Sequence, residues 1–352
     1  MPVKKYFAAA NTPDGFFNYF PDIFSPDKLD RLYIIKGGPG TGKSTMMKFI
    51  ADQAAEKGYG TELYYCSSDT RSLDGVLIPE LSAAVIDGTA PHTADPKYPG
   101  AVDTILDFGA YFDRKKLSDQ KDEIKRLCRA NAETHKKAVS YLSYASSAAR
   151  EAFGIYSSCA DREKLRKSAK KLTDGIKPDG GAAVQRQVTA FSTRGFVRLD
   201  TYEKAASKRI AICEAFGEGA LLTELICAEL SEKGAGYEYN IINLTPERRD
   251  LIYVPSAKTL YELTPRLDKK EKQKYCKTVN MERFIDKKRL AGSKSRLRML
   301  KKIKTSLYNE ASGYMKEAGK LHDGLEEIYK NAVDFDGVRE LMRKTAKEIF
   351  ED

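Results

Sequence analysis

The chain has 352 residues, 41% of them hydrophobic and 31% charged, with a formal net charge of +10; this is enough apolar material for two cores and excludes a disordered or collagen-like polymer. No stretch approaches the roughly 18 continuous apolar residues of a membrane span, and Met1-Pro2-Val3-Lys4-Lys5-Tyr6-Phe7 lacks the apolar run of an export signal, so a cytoplasmic protein is expected. Six scattered cysteines without a C-x-x-C pair, and only three histidines, point to free thiols and argue against a disulfide framework or a zinc site.

In chain order, Leu32-Tyr33-Ile34-Ile35 is a short β-branched run suited to a buried parallel strand. Residues 37–44 then read Gly-Gly-Pro-Gly-Thr-Gly-Lys-Ser, a complete G-x-x-x-x-G-K-[ST] signature. Met46, Met47, Phe49, Ile50 and Ala54 follow at helical spacing until Lys57-Gly58 supplies a stop. Strand, glycine loop and helix thus come in the order a phosphate cradle requires: backbone N–H groups close around the phosphates, and the helix N-terminus adds positive potential. The expected nucleotide contacts are Gly38, Pro39, Gly40, Thr41, Gly42, Lys43, Ser44 and Thr45, with Lys43 on the β/γ-phosphates and the Ser44 hydroxyl on Mg²⁺.

Thr61 to Cys66 reads as a second strand ending in Ser67-Ser68-Asp69, and Val76-Leu77-Ile78-Pro79 as a further apolar run. Ala83-Ala84-Val85-Ile86 closes on Asp87, the pattern of a strand whose terminal carboxylate orders the Mg²⁺ shell, with a turn-capping Asp as the plain alternative. No Glu follows Asp87, so the water-orienting role falls among Glu80, Asp69 and His92, the last more readily a core histidine. Arg71 is the arginine nearest this region in the chain. Residues 95–100, Asp-Pro-Lys-Tyr-Pro-Gly, read either as a loop closing over nucleotide or as a surface connection.

The two halves repeat. Tyr111 to Leu117 returns as Phe284 to Leu290, 173 positions on, and the same offset pairs Tyr141 with Tyr314, Ile155-Tyr156 with Ile328-Tyr329, and Asp161 with Asp334. Each half is expected to hold an α/β segment followed by a long near-heptad helix and a return helix, the arms packing together. The boundaries read 1–110 for an active P-loop domain, 111–176 for its helical arm, 177–188 for a linker, 189–280 for a degenerate α/β domain and 281–352 for the second arm. In the second copy, Arg209 to Cys213 repeats the first strand, but aligning Gly42 with Gly219 puts Ala220 at Lys43 and Leu221 at Ser44. Glu214 and Glu218 add charge that repels phosphate, and Asp87 to His92 faces Glu262 to Arg266. One intact site and one degenerate copy follow.

The motifs Gly-Gly-Pro-Gly-Thr-Gly-Lys-Ser-Thr at 37–45, Asp-Gly-Val-Leu-Ile-Pro-Glu-Leu at 74–81, Asp-Gly-Thr-Ala-Pro-His at 87–92 and Asp-Pro-Lys-Tyr-Pro-Gly at 95–100 resemble a poorly characterised family of bacterial ATPase-like proteins with two tandem P-loop halves. The resemblance implies an internally duplicated α/β P-loop NTPase fold, each half a mainly parallel sheet with a helical extension. It also implies ATP binding, carried to Gly42, Lys43, Ser44, Thr45 and Asp87. It brings no substrate, and the chain departs from it where the second loop has lost its lysine.

Between Arg266 and Lys304, 16 Lys/Arg face four acidic residues, so the charge excess belongs to one segment. Lys287, Lys294, Arg298 and Lys301 share one helical face in 287–304, with Leu290, Leu297, Leu300 and Leu307 on another; the basic face reads as solvated, or as a surface for nucleic acid, an acidic protein or a membrane surface. The leading expectation is a Mg-ATP-dependent ATPase acting as a nucleotide-driven switch. A small-molecule or nucleotide kinase, with Ser67, Asp69 and Arg71 near an acceptor, and a non-enzymatic ATP-holding module are the alternatives.

Overall fold

A computed structural model describes residues 3–351; Met1 and Pro2, where the export reading starts, and Asp352, which ends the second arm, lie outside the described residues. The first half runs β1 (Val3–Phe7), β2 (Ala9–Thr12), β3 (Gly15–Asn18), α1 (Phe20–Ile23), β4 (Arg31–Lys36), α2 (Lys43–Glu56), β5 (Thr61–Tyr65), β6 (Leu73–Ile78), β7 (Ala83–Asp87), β8 (Asp103–Asp107), α3 (Arg114–Asp119), α4 (Lys121–Ser158) and α5 (Arg162–Leu172). The second repeats this as β9 (Ala183–Gln185), β10 (Thr189–Ser192), β11 (Gly195–Arg198), α6 (Thr201–Ala205), β12 (Lys208–Cys213), α7 (Ala220–Glu232), β13 (Tyr237–Ile242), β14 (Thr245–Val254) and β15 (Thr259–Thr264). Then come α8 (Lys269–Lys272), which has no counterpart, β16 (Lys277–Asn280), α9 (Lys287–Ala291), α10 (Lys294–Lys330) and α11 (Phe335–Glu351).

The two six-stranded sheets have one topology, β1-β5-β6-β7-β4-β8 and β9-β13-β14-β15-β12-β16. Both are mixed and mainly parallel: β6 and β14 are the reversed strands, antiparallel to both neighbours. The duplicated α/β plan of the sequence is therefore present, strand for strand, and the joining segment 177–188 includes the edge strand β9, parallel to β13.

Strand alternation sorts the side chains onto two faces. Tyr33, Ile35, Ala83 and Val85 face α2 with Met46, Met47 and Ile50. Leu32, Ile34, Ala84 and Ile86 turn the other way and meet Leu251, Tyr253 and Leu260 of the second sheet, so the two halves share a core. A polar seam runs beside it, where Tyr64 Oη donates to Glu62 at 2.7 Å and Arg186 lies 3.6 Å from the same carboxylate.

The arms cross. After α3, α4 and α10 form a long antiparallel pair, each about 55 Å at 1.5 Å per residue. Midway, the duplicated Tyr141 and Tyr314 stack on one another at 5.3 Å, which sets them on the pseudo-twofold axis. At each end the chain bridges to the opposite half: Asp113 N–H donates to Ala332 O and Asp334 N–H to Tyr111 O, matched by Asp161 to Phe284 and Asp286 to Cys159. Asp113, Asp161 and Asp286 cap the helices that begin there. The return helices then dock on the wrong half. Leu165, Ala169 and Leu172 of α5 fill the core beneath α7, whereas Val338, Met342, Ala346 and Ile349 of α11 fill the one beneath α2.

Candidate functional site

β4 delivers its C-terminal end to the glycine loop, and α2 starts at Lys43 with Gly42 as its cap at φ 97°. Lys43 Nζ donates to Gly38 O at 2.6 Å and lies 3.6 Å from Asp87 Oδ2, so the cation and carboxylate of the two motifs meet. They do so because β7 pairs directly with β4, placing Asp87 opposite Ile35. Thr41 Oγ1 also donates to Gly38 O, at 2.8 Å, bracing the loop from inside. The Ser44 hydroxyl oxygen accepts from Leu73 N–H at 2.9 Å, leaving its own proton free to donate and tying the start of β6 to the loop. Pro39 shares the half-buried loop and Thr45 is exposed on the first turn of α2.

One feature separates this loop from its copy. Among the described residues, the N–H groups of Gly38 and of residues 40–45 donate to no protein oxygen. A row of donors without protein acceptors is left for water or an anion to meet. In the second loop most of the equivalent donors are taken. Ala215 N–H and Phe216 N–H donate to the Glu218 carboxylate at 3.0 and 2.8 Å, and Gly219 N–H to Glu214 at 2.7 Å. Ala220 N–H and Leu221 N–H turn back on Gly217 O and Glu218 O. Gly219 itself has φ −60°, where Gly42 has 97°, so helix α7 begins in a different conformation. Burial and the neighbouring Glu218 push the Glu214 carboxyl up to about 7.

The strand register amends the pairing of the second carboxylate. Ile212 pairs with Leu263, as Ile35 pairs with Asp87, so Leu263 and not Glu262 occupies the Asp87 position. One residue of slip exchanges the faces of the sheet. Glu262 accordingly points to the inter-half side, where it binds Arg198 at 2.7 Å and Arg209 at 2.8 Å.

The remaining expected residues are dispersed. Asp69 lies at the glycine-loop end of the sheet; burial opposes its ionisation, yet hydrogen bonds from Arg71 and Ser72 hold its carboxyl below the ordinary range. Glu80 sits at the opposite end, because the reversed β6 carries the chain away, and it accepts from Gly60 N–H at 3.0 Å. His92 is buried on the inter-half face, stacked on Phe20 at 4.6 Å with Nε2 3.1 Å from Asp74. The loop 95–100 is pinned at the far end of β8 by Lys97 to Asp27 and by Asp103, which accepts from Lys97 N–H and Tyr98 N–H. Lys43, Ser44, Asp87 and Asp69 are thus gathered at one end of the sheet; Glu80 and His92 are not with them.

Four further residues at the site escape sequence reasoning. Thr89 donates to Asp87 Oδ1 through both N–H (2.9 Å) and hydroxyl (2.6 Å), orienting that carboxylate; the Asp-Gly-Thr spacing is its only sequence signal. Lys36 donates to Gly88 O, Ala94 O and Asp95, fixing the segment that follows β7. Glu326 and Tyr329, from α10 of the other half, lie against the loop glycines and carry no local signal at all. Among the described residues there is no cluster of three or more His, Cys, Asp or Glu able to cage a metal; a hydroxyl and a single carboxylate, Ser44 and Asp87, are the donors on hand.

Residues 20–77, which include the glycine loop, match the family described as Nephrocystin 3, N-terminal; the similarity covers that segment only. No curated protein and no solved structure matches the chain. Among the described residues no helix is long and apolar enough to cross a membrane.

Proposed function

We propose that the first half is a P-loop nucleotide site that binds Mg-ATP and hydrolyses it slowly, and that the protein is a nucleotide-driven switch with one working site. The observation that carries this reading is the contrast between loops: beside Lys43, the N–H groups of Gly38 and residues 40–45 donate to no protein oxygen among the described residues, whereas in the copy Ala215, Phe216 and Gly219 N–H are spent on the carboxylates of Glu218 and Glu214. Lys43 would neutralise the β/γ-phosphates and the backbone donors would orient them. Ser44 and Asp87 fit a hard divalent ion that keeps most of its water, with Thr89 holding Asp87 in place. Mg²⁺, when bound there, supplies charge neutralisation on the phosphates. Adenine is the default base because no N-K-x-D motif is present.

Lys43→Ala tests this directly. Mg-ATP affinity, measured by calorimetry, is expected to fall at least about 100-fold, consistent with losing a charge-assisted contact of ~3 kcal/mol. Unchanged affinity removes the proposal.

A polyanion partner is a second reading, favoured by the exposure of Lys287, Lys294, Arg298 and Lys301. None of the four has an acidic partner within 4 Å among the described residues, although Lys301 lies over the Phe216 ring at 5.4 Å. ATP turnover with and without nucleic acid at two salt concentrations decides whether that face takes part: salt-sensitive stimulation supports it, and identical rates discard it.

A further inference from the structure

The two ends of the arm pair are duplicates in sequence, yet they hold their loops in different ways. At the first loop the opposite half comes into direct contact. A Cβ built on Gly38 would stand 2.6 Å from the Tyr329 ring, and one on Gly40 would stand 2.9 Å from Glu326 O. Phe335 and Val338, flanking the start of α11, lie within 4 Å of where a Gly42 side chain would begin. Glycine at 38 and 40 therefore serves contact with the arm as well as approach to a phosphate. Alongside, Arg71 reaches towards Asp323 of α10 at 4.0 Å from a loop that Leu73 ties to Ser44. The setting is polar and rearrangeable, with Glu326 paired to both His322 and Lys330.

The second end is built to stay put. Tyr156, the counterpart of Tyr329, stacks on Phe216 of the second loop at 5.3 Å. That loop is closed on Glu218, which is 2% exposed, and on Glu214. Its Ala215, Phe216 and Gly219 N–H groups are spent on those two carboxylates, and no lysine stands where Lys43 does.

Resting on the nucleotide reading above, we propose that nucleotide at the first loop is sensed by the α10–α11 junction of the opposite half, and that the second junction, shut by its own carboxylates, is the fixed point of the arms. The physical reason is the absence of slack. Backbone packed on an aromatic ring without an intervening side chain cannot change its path while the ring stays still. The charged contacts around Asp323 are exposed and weak, so the junction gives way before the apolar core of α11 does. Coupling of this kind is reciprocal: if Mg-ATP alters the junction, altering the junction changes Mg-ATP affinity by the same factor.

The test uses the full chain in two measurements. Hydrogen exchange with saturating Mg-ATP is expected to change at residues 322–340 together with 38–45, and to leave 153–166 and 214–219 unchanged. Tyr329→Ala is expected to shift the Mg-ATP dissociation constant by about fivefold or more, and its counterpart Tyr156→Ala by less than about twofold. Protection of 38–45 without any change at 322–340 overturns the inference while leaving the nucleotide site standing, as do equal shifts in the two tyrosine variants. No protection at 38–45 defeats the nucleotide reading and this inference with it. The exchange comparison needs no variant, so it decides the matter even if Tyr329→Ala fails to fold.

Discussion

Glu214→Gln should change how the protein's stability depends on pH. In the folded chain the Glu214 carboxyl is raised from an ordinary 4.5 to about 7, first by burial and then by the nearby Glu218, while Gly219 N–H and Lys304 act in the opposite sense. Between these two values the folded state holds a proton that the unfolded state has released. Stability from this group is therefore complete below about pH 4.5, falls as pH rises towards 7, and is flat above. At ~1.4 kcal/mol per pH unit the full loss comes to ~3 kcal/mol, an upper bound because Glu214 is only partly buried. Glutamine keeps an oxygen for Gly219 N–H and removes the charge. Urea unfolding of wild type and variant at pH 5, 6, 7 and 8 measures the difference directly. Asp250, raised to about 6 by burial, titrates in both proteins, so their difference reports Glu214 together with its repulsion by Asp250. The variant should gain on wild type by up to ~3 kcal/mol between pH 5 and 8; parallel curves over that range would refute the assignment of a buried, proton-holding carboxyl inside the second loop.

Met342→Ala, in α11, should destabilise the glycine-loop half by ~2–5 kcal/mol through lost packing against α2, seen as earlier loss of exchange protection in residues 43–56 than in 220–232; equal loss in both would contradict the crossing of the arms. Ser44→Ala should remove most of the Mg²⁺ dependence of nucleotide binding and cost about 1 kcal/mol in stability, because Leu73 N–H loses its acceptor; Ser44→Thr should restore both, and metal dependence that survives in the alanine variant would exclude Ser44 as a ligand.

Much of the first half was legible from residue order. β7 falls on Ala83–Asp87 as the apolar run into Asp87 indicates, and α2 begins at Lys43 as the loop signature requires. The 173-residue offset between Tyr111–Leu117 and Phe284–Leu290 becomes a pair of equivalent bridges, Phe112 to Val333 and Ala160 to Ile285. Strand direction was not legible. An apolar run such as Val76 to Pro79 has the same pattern whichever way it points, and the reversal of β6 is what carries Glu80 to the far end. Nor could heptad spacing name a partner: Leu165 and Val338 announce buried helix faces, but which core each one enters depends on the crossing, which no local pattern encodes. The second loop failed for a related reason. Its glutamates read as repulsive to phosphate, whereas the structure shows carboxylates bound by their own loop amides, an arrangement that becomes visible only once the backbone is in place.

The crossing of α5 and α11 has a consequence for synthesis on the ribosome. The α/β unit bearing Lys43 is translated some 300 residues before the Val338–Ile349 face that seals it, while α5 waits for a sheet not yet made. Cutting the gene at the junction near residue 176 would accordingly give two fragments, each exposing an apolar floor shaped for the other's last helix. Mixed together they should trade those helices and reassemble; made apart, each should aggregate.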